Sequence, residues 1–223
     1  MEKKALILNF KAYDESAGAK GESLAKVAEK VAADLGANII IAPPVVCASY
    51  ARLVRIPVFG QTAEMLEPGA RTGHITIESM KQCGLAGTLI NHSECRATEE
   101  QVKFACEKAR KLGGFDVCVC AKDVPEAVKL AQYNPAAIAV EPPELIGSGI
   151  SVSSARPEIV SESVAAIKKV SPSTLALVGA GVSNATDVST SLKLGAEGVL
   201  LASAFVKAKD PEAWLRDVAK ELV

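Results

Sequence analysis

Eight times along this chain a short apolar or β-branched run stops at Gly, Pro, Asn or another polar breaker and gives way to a stretch with helical spacing. No other feature restricts the fold so far. The strand candidates are Ala5–Phe10, Asn38–Ala42, Val58–Gln61, Gly87–Ile90, Phe115–Cys120, Ala136–Val140, Leu175–Val178 and Gly198–Leu201. The helix candidates are Glu22–Leu35, Val45–Leu53, Ile77–Cys83, Glu99–Leu112, Pro125–Gln132, Pro157–Lys169, Thr186–Leu194 and Pro211–Leu222. The runs are apolar throughout instead of alternating, which marks parallel strands buried on both faces. Eight such β/α units fit a closed, eight-stranded parallel (β/α)8 barrel with shortened helices, one catalytic domain over 1–223. The rival open, doubly wound sheet usually shows a glycine fingerprint after its first strand, where this chain has Asn9-Phe10-Lys11.

Local chemistry places the helix ends. Thr98 followed by Glu99, Glu100 and Gln101 has the pattern of a capping box, and Gly36, Gly113 and Gly195 stand as left-handed stops. In Glu22–Leu35 the residues Leu24, Val27, Ala28, Val31 and Leu35 form a stripe that packs on a sheet, opposite solvated Lys26, Glu29 and Lys30.

Charge narrows the partners. With 25 Lys and Arg against 26 Asp and Glu the formal balance is −1, without the basic excess that nucleic-acid affinity needs. The opening run Ala5–Phe10 is too short for a signal peptide, and 38–43 and 199–206 are too short to span a membrane, so a cytoplasmic location is expected. The six cysteines sit in apolar, periodic segments with no CxxC spacing, which reads as buried small hydrophobes instead of a metal site or disulfide framework. Cys118 and Cys120 point to one face of their strand.

In a barrel the chemistry gathers where strands end. Those positions hold Asn9 and Lys11, Gln61 and Glu64, Asn91 to Arg96, Glu141, Gly179 to Val182, and Ala202-Ser203. Of the two histidines, His92 falls just past a buried strand, whereas His74 lies in a polar loop. Glu141 is delivered from an apolar strand straight to the mouth, where burial raises a carboxyl toward a useful base; a salt-bridged structural glutamate is the alternative. The segment from Pro142 to Gly149 has rigid prolines at one end and glycines at the other, the composition of a lid or of a plain surface loop. Small-residue turns at Gly179-Ala180-Gly181 and Gly198 to Ser203 stand where many barrels bind phosphate. A serine-hydrolase reading of His92-Ser93 fails, because sequence neighbours do not face each other and no GxSxG elbow is present.

Taken in order, Asn9-Phe10-Lys11, Asn91-His92-Ser93-Glu94 with Arg96, Val140-Glu141-Pro142 and Ile146-Gly147-Ser148-Gly149 resemble the active-site motifs of the triosephosphate isomerase family. The resemblance runs over essentially the whole chain. The short helices, with Gly179-Ala180-Gly181-Val182-Ser183 and Ala202-Ser203, look like the compact archaeal branch. It implies that Glu141 is the base, His92 the electrophile, Lys11 a cation beside the substrate and Asn9 a positioning group. Glu94 matches the carboxylate that orders the lysine and an arginine at the place of Arg96. Phosphate contacts would come from Asn9, Lys11, Ile146, Gly147, Gly181, Ala202 and Ser203.

The implied activity is interconversion of glyceraldehyde 3-phosphate and dihydroxyacetone phosphate through an enediolate, in glycolysis and gluconeogenesis, with neither metal nor organic cofactor. A helical turn beginning at Ser93-Glu94 would keep the histidine neutral, an effect for which the family it resembles is a standard case. The loop Ala63 to Ile75 shows Met65 and Leu66, and in the family it enters a neighbouring subunit, so a homo-oligomer is expected, a tetramer before a dimer. Another phosphate-binding barrel enzyme, or a barrel that only binds partners, remains the alternative on residues alone. The sequence departs from the common pattern at Pro143-Glu144 in the lid hinge, at the turn after the seventh strand, at Ala202-Ser203 and at Cys95.

Overall fold

The computed structural model describes residues 4–142 and 152–223. Its strands are β1 (Ala5–Asn9), β2 (Ile39–Ala42), β3 (Phe59–Gly60), β4 (Gly87–Ile90), β5 (Asp116–Ala121), β6 (Ala137–Val140), β7 (Leu175–Val178) and β8 (Gly198–Leu201). They form one parallel sheet in the order β2-β1-β8-β7-β6-β5-β4-β3. The seam between β2 and β3 is joined by a single bridge, Ile41 to Val58, with Ile41 N–H donating to the Pro57 carbonyl at 3.1 Å. Pro57 has an acceptor but no N–H to return, which keeps this ladder short. The result is the (β/α)8 barrel that the eightfold alternation leads one to expect.

Alternation along each strand divides the core into two layers. Ala5, Ile7, Ile40, Phe59, Leu89, Cys118, Cys120, Ala137, Ala139, Leu177 and Leu200 fill the barrel interior. Leu6, Leu8, Ile39, Ile41, Val117, Val119, Ile138, Ala176 and Val199 face the helices. Both faces are therefore apolar for a physical reason: neither sees water. Cys118 and Cys120 share the inner face, as their spacing requires, and Cys47 and Cys106 are also buried. Cys83 and Cys95 are exposed, against the expectation of burial, because one lies past a helix end and the other in a turn at the mouth.

The helices are α1 (Gly18–Leu35), α2 (Ile77–Gln82), α3 (Glu99–Leu112), α4 (Val124–Ala131), α5 (Val152–Ala155), α6 (Pro157–Val170), α7 (Ala185–Lys193), α8 (Ser203–Val206) and α9 (Pro211–Ala219). Leu24, Ala28 and Val31 are buried on the inner stripe of α1. The capping box at Thr98 forms with Gln101 as its reciprocal partner, and Gly36 ends α1 in the left-handed region at φ 70°. Segment Val45–Arg52 is 3₁₀ helix kinked at Cys47, not α-helix, and the last helix yields to a 3₁₀ turn at Lys220–Leu222. Helix α1 starts at Gly18, four residues before the expected Glu22, and its first turn includes Gly21, where a Cβ would stand 2.2 Å from the Ser16 carbonyl oxygen. The short helices α5 and α8 carry too few turns to show a period.

Loop 63–75 is clasped at its base by Glu64, whose Oε2 accepts from Ile75 N–H at 2.9 Å and lies 3.0 Å from His74 Nδ1. Met65 is exposed as expected; Leu66 is half-buried. Among the described residues no helix is long and apolar enough to cross a membrane.

Candidate active site

Past the C-terminal ends of the strands lies a cavity of about 270 Å³, lined among the described residues by Asn9, Lys11, Tyr13, His92, Glu141, Gly179, Gly181, Val182, Ser183, Leu200, Leu201 and Ala202 to Ala204. This is near the small end of ligand pockets, about 300–1,000 Å³, and suits a substrate of few atoms.

Glu141 follows β6 and stays anchored to its neighbour: its N–H donates to the Ala121 carbonyl of β5 at 2.7 Å. The side chain is 4% exposed, and among the described residues Oε2 has no hydrogen-bond partner. Burial pushes its pKa up to about 7, against the opposing pull of the Cys120 thiol, Lys11 and Arg96. The space it occupies is opened by Gly179, where a Cβ would come within 2.4 Å of the Glu141 Cγ. Both effects come from packing between strands distant in sequence.

His92 Nε2 lies 3.6 Å from Glu141 Oε1. Its other ring nitrogen, Nδ1, accepts from the Glu94 N–H at 3.1 Å, which leaves Nε2 as the protonated nitrogen pointing into the cavity. Burial, then the Lys11 charge, lower the histidine pKa, with Glu94 opposing. A neutral imidazole donor results, as expected, but a different structure supplies the amide. Residues 92–95 make one tight turn closed by Cys95 N–H to His92 O at 2.9 Å, and α3 begins only at Glu99.

Lys11 adopts a left-handed backbone at φ 49°, at a cost of about 1 kcal/mol for a residue with a Cβ. Three bonds hold it there. Asn9 Oδ1 accepts from the Lys11 N–H at 2.9 Å, Gln61 Nε2 donates to the Lys11 carbonyl at 3.1 Å, and the ammonium pairs with Glu94 Oε1 at 2.7 Å. Gln61 also donates to the Ala42 carbonyl at 2.9 Å, so one amide gathers the ends of β1 and β2 beside β3.

On the opposite wall Gly181 has φ 71°, and Ala202-Ser203 open α8. Phe205 secures this short helix from below, its ring 6.0 Å from Phe10 and 6.2 Å from Trp214. Asn9, Lys11, His92, Glu141, Gly181, Ala202 and Ser203, singled out in the sequence, thus share one cavity, with Glu94 reaching it through Lys11. Ile146 and Gly147, with the lid segment from Pro143 onward, lie outside the described residues.

A family model described as triosephosphate isomerase matches residues 4–220. This chain belongs to the triosephosphate isomerase family. Triosephosphate isomerase of Caldivirga maquilingensis is 46% identical over 224 aligned residues, covering 100% of this chain and 99% of that protein. The enzymes of Methanocaldococcus jannaschii and Pyrobaculum islandicum are each 44% identical, over 96% and 97% of this chain and 98% and 95% of their own lengths.

One expectation carried from the triosephosphate isomerase family needs correcting. Glu94 orders Lys11, but Arg96 turns away from it: Nη1 donates to the Asn91 carbonyl at 3.2 Å and Nη2 pairs with Glu126. The first turn of α4, capped by Asp123, presents that carboxylate. Nothing along the chain marks Tyr13 on the cavity wall or the thiol of Cys120 beside Glu141. Both follow from which strand ends become neighbours.

Proposed function

We propose that this chain interconverts D-glyceraldehyde 3-phosphate and dihydroxyacetone phosphate, in glycolysis and gluconeogenesis, with Glu141 as the base. The observation that carries the reading is a buried carboxyl with pKa near 7, 3.6 Å from a neutral imidazole donor. Glu141 takes the proton from the carbon next to the carbonyl, and its carboxyl then returns a proton to the neighbouring carbon. His92 Nε2–H donates to the carbonyl oxygen as enediolate charge develops, and Lys11 adds fixed positive charge. Asn9 and Glu94 hold Lys11 in place. These steps move protons only, so the reaction calls for no metal or organic cofactor.

The phosphate group rests against Gly181, Ala202 and Ser203, with Asn9 and Lys11 on the facing wall; Ile146 and Gly147 complete the contacts by resemblance to the family. Support comes from the shared cavity and the left-handed glycine at 181, which lets backbone N–H groups approach an anion. The protein works in the cytoplasm as a homotetramer. Exposed Met65 on the clasped loop and Val45 and Val46, 51% and 82% exposed, support an apolar contact between subunits.

A coupled assay of glyceraldehyde 3-phosphate isomerisation, run beside Glu141→Gln, tests the reading. Rapid turnover that falls by roughly two to four decades in the variant, with phosphate-ligand affinity kept, supports it. Turnover unchanged by the substitution ends the assignment of Glu141. Light scattering that finds a monomer at working concentration ends the oligomer.

A further inference from the structure

The structure assigns Asn91 a positioning role: from a left-handed backbone, its side chain ties the catalytic turn to β5 and so sets the aim of His92. The inference rests on the isomerase reading above and adds a residue to it. Pairing of β4 with β5 runs as far as Ile90 against Val119. At Asn91 the chain leaves the ladder with φ 65°. Its buried amide then continues the pairing in place of the backbone, Nδ2 donating to the Cys120 carbonyl at 2.9 Å.

The other end of the same amide closes the turn. Oδ1 accepts from Ala97 N–H at 3.1 Å, and the Asn91 carbonyl accepts from Arg96 Nη1 at 3.2 Å. Inside this ring lie the two bonds that fix His92, from Cys95 N–H to its carbonyl and from Glu94 N–H to its Nδ1. On β5 the next residue, Ala121, accepts the N–H of Glu141 at 2.7 Å. Base and imidazole therefore hang from consecutive carbonyls of one strand, and Asn91 is the link on the imidazole side. Glycine would adopt this φ at lower cost. Left-handed backbone admits glycine or asparagine; the two amide bonds are what only the asparagine supplies.

Asn91→Gly in the full chain separates the two roles, because it keeps the backbone and removes the amide. The expected result is a loss of about 10- to 100-fold in kcat from a displaced donor, with KM within about threefold. Affinity for phosphoglycolate, a stand-in for the enediolate, falls in step with kcat while affinity for inorganic phosphate stays. Asn91→Asp keeps the acceptor for Ala97 but sets a carboxylate oxygen against the Cys120 carbonyl, and loses at least as much kcat as the glycine variant. The chain has only two histidines, so nitrogen NMR of the rings reads His92 directly, with exposed His74 as reference. Its Nε2–H form gives way to a mixture of tautomers in Asn91→Gly.

A glycine variant with kcat within about twofold of the parent, or one whose His92 ring signals are unchanged, overturns the proposal. So does a kcat loss matched by an equal loss of inorganic phosphate affinity, which reports general disruption. Absence of triose phosphate turnover in the parent would sink the isomerase reading alone, and the His92 ring signals would still decide on Asn91.

Discussion

Glu141 Oε1 and His92 Nε2 face each other at 3.6 Å although they come from β6 and β4, with all of β5 between them. Barrel curvature brings the two strand ends together over the inner residues Cys118 and Cys120. The contact pairs a carboxyl raised by burial with an imidazole kept neutral by burial, so the same desolvation prepares both groups.

The pH profile follows from that pair. Glu141 accepts a proton only as carboxylate, and with a pKa of about 7 its ionised fraction falls as pH drops below neutrality. The value of kcat/KM should lose about tenfold per pH unit below that point. Burial, then the Lys11 charge, lower the His92 pKa and so favour the neutral imidazole. A profile from pH 5 to 9 checks this; an acid limb near 4.5 would mean a solvated carboxyl in the free enzyme.

Stability should respond in the opposite direction to activity. A carboxyl whose folded pKa is raised favours the folded state fully only below its unfolded value of 4.5, and that contribution fades as pH rises through 7. Glu141→Gln removes the cost of ionising the buried group and should stabilise the fold by up to about 3 kcal/mol at pH 8. Near pH 4 parent and variant should melt together. Thermal melts at both pH values measure the difference, and an equal Tm at pH 8 would contradict buried ionisation.

Gly179→Ala is expected to damage the base without touching its chemistry. The added methyl would stand 2.4 Å from Glu141 Cγ and 3.0 Å from Oε1, so the side chain has to swing. Overpacking of this kind costs about 1–3 kcal/mol, and displacement of the base should lower kcat by about 100-fold. Steady-state kinetics beside a melting curve would show it; full activity would mean that Glu141 works from another rotamer.

Glu94→Gln tests the grip on Lys11. The pair is 2.7 Å long, with the lysine 14% and the glutamate 57% exposed, so water screens much of its energy. Stability should change by less than about 1 kcal/mol. Loss of the carboxylate that aims the ammonium should instead raise KM and lower kcat together, by about tenfold in kcat/KM. A large drop in Tm with unaltered kinetics would make Glu94 a structural residue.

Much of this architecture is legible along the chain because the cues are local. Apolar runs, Thr98 with Gln101 and glycine stops such as Gly36 act within a few residues, and they place the strands and most helices to within a few positions. His92, Glu141 and Lys11 stand out because each follows a buried strand. The partner of Arg96 could not be read this way: Glu126 lies 30 residues on, and the resemblance pointed to Glu94.

The eightfold alternation, the two-sided burial of the strands and the polar residues that emerge at strand ends are all written along the chain, since periodicity and side-chain polarity act over one or two turns. How far Glu141 is stripped of water, the room that Gly179 must leave it, and the clamping of strand ends by Asn91 and Gln61 arise when the barrel closes. Burial and hydrogen bonding depend on what packs alongside, and in a closed barrel the neighbours of a residue are set by strand order and register.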